Sequence, residues 1–327
     1  MRLVVGGAGF IGSALVRLLA REGPVRVLDD LSTGKAENLQ GVAGVDLQIG
    51  SILDPEAVAR AFAGVDRVFH LACLGVRHSI RRPVANHEVN ARGTLNLLEQ
   101  ARHSGVRCFV YTSSSEVYGT GMRVPMDESH PTMPHTVYGG SKLAGEAYVR
   151  AYHRTFGLPT VVLRPFNAYG PRSHHEGDSG EVIPKFIVRA MNGISPMIFG
   201  DGSQTRDFTY VEDTARGIAA AARDERAVGA TINLGSGREV PIRELATIIT
   251  RAVGRPDLQP QFAPPRPGDV LRLCADARQA EQLLGWRAEI DLAAGVARLL
   301  AWHRERGTDW AACLREERTF NWQEQAE

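Results

Sequence analysis

Cysteine is scarce in this chain: four in 327 residues (Cys73, Cys108, Cys274 and Cys313), none in a C-x-x-C spacing. That excludes the density of a disulfide framework and fits reduced thiols, so a cytoplasmic setting is expected. Long apolar runs are missing too. No stretch approaches the roughly 18 residues a membrane-spanning helix requires, and no membrane association is expected. Met1 leads at once into Leu3-Val4-Val5 and then glycines, leaving no room for a charged segment and a longer apolar one, so no signal peptide is expected. Net charge is only +1, and the 38 basic residues form no polybasic block, which argues against a nucleic-acid partner. Repeats and low-complexity tracts are absent. What remains, 43% hydrophobic and 23% charged residues, is ordinary for a soluble globular protein.

Glycine, by contrast, is concentrated where it carries meaning. Met1–Val5 reads as a buried strand, followed by Gly6-Gly-Ala-Gly9-Phe10-Ile11-Gly12 and a helical pattern from Ser13 to Arg21. Glycines between a strand and a helix permit a tight turn and let backbone N–H groups approach a pyrophosphate at the helix N-terminus. The next apolar run, from Val25, ends in Asp29-Asp30, and Asp29 lies twenty residues past Gly9. A carboxylate there binds the adenosine ribose hydroxyls and repels a 2′-phosphate, so the expected cofactor is NAD rather than NADP.

Further strand-like runs cover Val45–Ile49, Arg67–Leu71, Arg107–Thr112 and Thr160–Arg164. Helical patterns cover Pro55–Ala63, Ala91–His103 and Ser141–Phe156. Alternating strands and helices predict an α/β fold with a doubly wound parallel sheet. Ligands of such sheets sit beyond the carboxyl ends of the strands. Three segments occupy that place: Leu71-Ala72-Cys73, Ser113-Ser114-Ser115-Glu116 and Pro165-Phe166-Asn167.

Tyr138 and Lys142 stand four residues apart, on one helical face if their segment is helical. An ammonium so close, helped by a cationic cofactor, favours the phenolate and is expected to draw the tyrosine pKa down toward neutrality. Such a phenolate can take the proton of a sugar or alcohol hydroxyl.

Taken in order along the chain, these segments resemble the extended short-chain dehydrogenase/reductase family, in particular its nucleotide-sugar epimerases and dehydratases. The resemblance spans nearly the whole chain. It rests on Gly6–Gly12, Asp29, Phe69-His-Leu-Ala72, Asn90, Ser113–Gly119, Tyr138 with Lys142, Arg164–Pro171, Gly200–Asp207 and Arg266-Pro-Gly-Asp269. It implies a Rossmann-type domain over 1–170 plus about 204–238, and a smaller C-terminal α/β substrate domain over 171–203 plus about 239–327. The proline-rich run Pro260–Pro267 is expected as a loop over the nucleotide without regular structure. By analogy with the family, a homodimer is expected, built on the helices near 91–103 and 138–156.

The resemblance also distributes roles. Tyr138 is implied as catalytic base, Lys142 as its partner and ribose ligand, and Ser114 as the hydroxyl bonding the reacting sugar oxygen, with Ser115 and Glu116 beside it. The implied NAD contacts begin with Gly6, Gly9, Phe10, Ile11, Gly12, Asp29, Asp30, Ser32, Thr33 and Gly34. They continue through Ser51, Ile52, Leu71, Ala72, Cys73, Asn90, Ser113, Pro165 and Phe166, together with Tyr138 and Lys142. Implied substrate contacts are Asn167, Arg172, His174, Val182, Phe199, Arg206, Arg266 and Asp269, with a UDP-sugar as substrate. Arginine suits the diphosphate because its planar fork stays charged and binds two oxygens at once.

Two departures from the family pattern bear on chemistry. After the third strand many relatives carry Gly-Asp, whose carboxylate bonds the adenine amino group; here the pair is Gly50-Ser51. A hydroxyl is the weaker acceptor, which implies looser NAD retention. Dehydratases of the family commonly carry Asp-Glu after the serine; here it is Ser115-Glu116. A serine hydroxyl is too weak an acid to replace the carboxylic acid easily, although Glu116 leaves a base for C5. The leading expectation is a 4-epimerase working through a 4-keto intermediate, with a 4,6-dehydratase or UDP-glucuronate decarboxylase as alternatives and a non-catalytic NAD-binding scaffold as a remote one. The segment Arg172–Glu181, rich in His, Glu and Asp, has no established ligand spacing. No metal is expected there, and the segment reads as a loop with polar groups aimed at the sugar.

Overall fold

The computed structural model describes residues 1–323. Seven parallel strands form the main sheet: β1 (Arg2–Val5), β2 (Val25–Asp29), β3 (Val45–Ile49), β4 (Arg67–His70), β5 (Cys108–Thr112), β6 (Thr160–Pro165) and β10 (Thr231–Leu234), in the order β3-β2-β1-β4-β5-β6-β10. The order reverses at β1 and β4, which opens a crevice beyond their carboxyl ends. Period-two alternation splits β1 between the two faces. Leu3 and Val5 pack with Leu28, Phe62, Leu97 and Phe109, while Val4 packs with Leu15, Val27, Ile218 and Leu234. Both faces are covered by helices, as a buried parallel sheet demands.

A separate apolar core gathers Tyr169, Ile183, Phe186, Ile198, Tyr210, Leu245 and Val296. Around it lie a three-stranded sheet of β7 (Asn167–Tyr169), β9 (Thr205–Tyr210) and β11 (Glu239–Pro241), and a two-stranded sheet of β8 (Met197–Phe199) and β12 (Gln261–Ala263). The helices Val182–Met191, Ile242–Ala252 and Leu292–Glu305 pack on this second core.

Several boundaries shift from the sequence reading by a residue or two, and three differences have a local reason. The first helix runs Phe10–Leu19, starting directly at Gly9, and continues as a 3-10 turn over Ala20–Glu22. The helix expected from Ser141 begins at Val137, because the Thr136 hydroxyl accepts the Gly139 N–H at 3.1 Å and caps it. Tyr138 and Lys142 therefore do share one helix. The run Pro260–Pro267 is not wholly irregular, since Gln261–Ala263 pairs in parallel with Met197–Phe199. The two prolines flanking this short edge strand stand clear of its ladder. Among the described residues, no helix is long and apolar enough to cross a membrane.

Candidate active site

The glycine turn closes on itself. A Cβ on Gly12 would sit 2.0 Å from the Gly6 carbonyl oxygen, and one on Gly6, at φ +80°, would sit 2.5 Å from the Ala72 nitrogen. Only glycine lets β1, the first helix and the end of β4 meet this closely. Gly9 differs: its Cβ would meet nothing nearer than 3.4 Å. The N-terminal amides of the Phe10–Leu19 helix, which no helical carbonyl can satisfy, thus face an approachable edge. Asp29 is buried with one oxygen on the Ala8 N–H (2.8 Å) and the other on the Leu31 N–H (2.9 Å). A carboxylate accepts about four hydrogen bonds, so two positions remain for ribose hydroxyls. These features fit a dinucleotide, held largely by backbone.

Other members of the expected cofactor set are committed to the protein itself. Asp30 accepts both the Ser32 N–H (3.0 Å) and hydroxyl (2.6 Å), shaping the turn through Thr33 to Gly34. Ser51 accepts the Leu53 N–H at 3.2 Å, and Asp54 caps the Pro55–Phe62 helix through the Glu56 N–H. Ile52 is buried. Asn90 is also buried; it accepts from Leu74 N–H (2.8 Å) and donates to the Leu74 carbonyl (2.9 Å) and Ser141 hydroxyl (3.1 Å), fixing the loop after Leu71–Cys73. Pro165 ends β6, and Phe166 packs with Tyr118 and Leu273. Ser113 donates to Glu146 at 2.6 Å. Glu146 is fully buried yet paired, receiving two bonds from Arg164 (2.8 and 2.7 Å) and one from Arg150 (2.9 Å). Those partners hold its carboxyl below the usual range against the opposing effect of burial. This ion cluster underpins the Ser113–Glu116 segment; only its Glu146–Arg150 pair, at i,i+4, has a local spacing in the sequence.

At the reacting end, Ser114 caps a 3-10 turn over Ser115–Val117 by accepting the Glu116 N–H at 3.2 Å. A Cβ on Gly139 would lie 2.6 Å from the Glu116 carbonyl oxygen, so this glycine brings the start of the Tyr138 helix against that turn. The protein's own groups act against the expected lowering, which also invokes a cationic cofactor. Burial pushes the Tyr138 hydroxyl well above the ordinary phenol range; Cys73 and Glu116 add to this, and the Ser114 hydroxyl opposes it. Lys142 does not offset the burial. Its Nζ donates to the Thr112 carbonyl at 2.6 Å and lies 4.7 Å from the Tyr111 ring centroid, and burial lowers its own pKa. Sequence spacing places the two side chains on one face but cannot report where a flexible ammonium finds its hydrogen bond.

A cavity of ≈ 170 Å³ collects Glu116 and most of the expected substrate residues: Asn167, Val182, Phe199, Arg206, Arg266 and Asp269. Arg206 and Arg266 each donate to the same oxygen of Asp269, at 2.6 Å. The Asn167 side-chain oxygen is buried with no partner among the described residues, a polar atom awaiting a donor. Ser115 is buried and does not line the cavity. Arg77, Gln204, Lys185, Arg189 and Trp322 line it as well, none of them anticipated from the sequence. Arg77 is pushed down to about 10 by burial and by Arg266, opposed by Glu181, Asp269 and Glu116. Arg172 and His174 are not brought here. They line a different cleft with Arg17, Lys35 and Arg306. The left-handed backbone of Arg172 (φ +69°) accompanies a bond from its Nε to the Ser13 hydroxyl at 3.1 Å.

Comparison with known proteins agrees with this geometry. The model of the NAD dependent epimerase/dehydratase family matches residues 2–235. The UDP-glucose 4-epimerase of Mycolicibacterium smegmatis is 40% identical over 311 residues, covering 93% of this chain and 98% of that protein. A Thermotoga maritima UDP-glucose 4-epimerase solved with UDP-glucose superposes with a TM-score of 0.89 at 34% identity, over 94% of this chain and 99% of that one. The dTDP-glucose 4,6-dehydratase of Streptomyces venezuelae, solved with NAD, superposes nearly as well: TM-score 0.88 at 36% identity, over 94% and 98%. With a glycine turn and Asp29 that fit the dinucleotide, the chain belongs to the NAD-dependent epimerase/dehydratase family and NAD is its cofactor.

Proposed function

We propose that the protein is a nucleotide-sugar 4-epimerase, with a UDP-sugar as substrate. One observation supports this over 4,6-dehydration: beside Glu116, where a dehydratase needs a carboxylic acid to protonate the departing hydroxyl, stands the buried Ser115. A hydroxyl there cannot serve as that acid at neutral pH.

In this reading NAD supplies a reversible hydride acceptor when bound. Tyr138, as phenolate, takes the proton of the sugar 4-hydroxyl, and Ser114 bonds the same oxygen as it becomes a ketone. Lys142, one turn along the same helix with its Nζ on the Thr112 carbonyl, is the ribose ligand. Arg206 and Arg266 grip the diphosphate, with Asp269 keeping the two guanidinium groups from repelling one another, and Asn167 adds a polar contact. Turning the 4-keto sugar within the cavity before hydride return inverts the centre. A homodimer is proposed with it, through the helices Gly93–His103 and Val137–Phe156, where Phe156 is 52% exposed.

The alternative that a specific residue favours is 4,6-dehydration, since Glu116 lines the cavity and could remove the C5 proton. Incubation with UDP-glucose, UDP-N-acetylglucosamine, UDP-glucuronate and dTDP-glucose, read by mass spectrometry and isomer separation, decides it. An isomer of unchanged mass supports epimerisation; loss of water or of carbon dioxide from any substrate refutes it.

A further inference from the structure

The cleft that takes Arg172 and His174 away from the substrate cavity has a charge distribution of its own. It joins three parts of the chain: Arg17 on the first helix with Lys35 after it, the Arg172–Glu176 loop, and Trp302 with Arg306 at the end of the Leu292–Glu305 helix. Its volume is ≈ 170 Å³. Three guanidinium groups meet there without a carboxylate partner among the described residues. Arg17 donates to the Asn38 and Gln40 carbonyls (2.9 and 3.1 Å), and its Nε is buried with no partner. Arg172 makes its one bond, from Nε, to Ser13. Arg306 lies 5.0 Å from the Trp302 ring centroid. The nearby carboxylate of Glu176 is already shared by Lys35 (2.7 Å) and His174 (3.0 Å), and Glu37 is exposed.

Like charges gathered without a directly bonded counter-ion repel one another, and a bound anion relieves that. Burial and mutual repulsion lower the pKa of Arg17, and push Arg172 down to about 10 against the attraction of Glu212. The left-handed backbone at Arg172 holds a guanidinium fork over the cleft. Planar forks bind phosphate oxygens two at a time, and an arginine stacked on Trp302 adds a flat apolar wall. The cleft adjoins the glycine turn, where Lys35 and Asn38 bond the Ala8 carbonyl, and extends away from it: Arg17 lies about 10 Å along the helix from Phe10, at the rise of an α-helix.

We propose that this cleft is a second anion site, which binds a phosphorylated small molecule or free phosphate between the first helix and the Leu292–Glu305 helix, separate from both NAD and the nucleotide-sugar cavity. The inference is independent of which reaction the enzyme performs.

Isothermal titration of the full chain, saturated with NAD and uridine diphosphate, tests it with three probes: inorganic phosphate, pyrophosphate and glucose 1-phosphate. One further site per chain is expected, weakened about tenfold or more in Arg306→Gln and in Arg17→Gln. Arg306→Lys, which keeps the charge without the fork, should fall between. Turnover without probe should stay within about twofold for Arg306→Gln, and thermal melting reports whether each variant is folded. Tighter binding of glucose 1-phosphate assigns a phosphoester ligand, and tighter binding of inorganic phosphate assigns the free ion. Three results overturn the proposal: no heat with any probe, binding indifferent to all three substitutions (an adventitious ion only), or binding seen without NAD and uridine diphosphate but lost when they saturate.

Discussion

The cofactor end and the proposed substrate cavity are built on opposite principles. At the cofactor end, backbone faces the ligand and side chains brace the backbone: Asn90 clamps the Leu74 loop, Ser113 bonds Glu146 and Asp54 caps a helix. In the cavity, charged side chains from β9, the loop after β12 and the tail face inward with few backbone groups between them. A backbone cradle tolerates little change because a Cβ has nowhere to go. A side-chain cavity can be retuned residue by residue, which is how one family hosts both an epimerase and a dehydratase at TM-scores of 0.89 and 0.88 to this chain.

Four substitutions break or sharpen that contrast. Tyr138→Phe, at the junction of the two regions, should lower kcat by roughly 10³-fold while NAD binding, followed by fluorescence, stays intact. Because burial raises this phenol, the base form is scarce at low pH, so kcat/KM of the unmodified enzyme should climb as pH rises. Turnover preserved in the phenylalanine variant removes the proposed base. Gly12→Ala should act on the cradle: its Cβ falls 2.0 Å from a carbonyl oxygen, predicting about 1–3 kcal/mol of lost stability in urea unfolding and a large loss of NAD affinity.

Arg206→Ala, in the cavity, should raise KM by about 10–100-fold, the range of a lost charged hydrogen bond, with NAD affinity unchanged. If NAD binding falls as far as substrate binding, the two regions are not separable. The smallest effect is expected at Glu181, whose carboxyl burial pushes up to about 7, with one oxygen buried and unpartnered. A carboxyl raised in the folded protein stabilises below its unfolded pKa of about 4.3, and that stability is lost as pH climbs through about 7. Glu181→Gln should therefore melt higher than the parent at pH 8, by on the order of 1 kcal/mol, and match it near pH 4.

The cradle was legible in the sequence because its parts are neighbours along the chain. Gly6 to Gly12 and Asp29 follow one strand-turn-helix-strand unit, and their spacing alone implies their geometry. Arg206, Arg266 and Asp269 could be singled out through family motifs. Arg77, Lys185, Arg189 and Trp322 could not, since nothing at those positions distinguishes a cavity wall from a surface. Arg172 and His174 show the converse: a conspicuous polar loop pointed the eye toward the sugar, while the chain turns it toward Arg17 and Arg306.

By itself the sequence determined the parallel sheet, the NAD end and the family, because short-range periodicity and glycine sterics act within a few residues. Tertiary structure decided the rest. It gave Lys142 a carbonyl of β5 in place of the phenol, tied Ser113 to a buried Glu146–Arg164 pair, and sorted the arginines between two cavities. Charges and hydrogen bonds are settled by whichever partner the fold brings within about 3 Å, and those partners lie tens to hundreds of residues away in the chain.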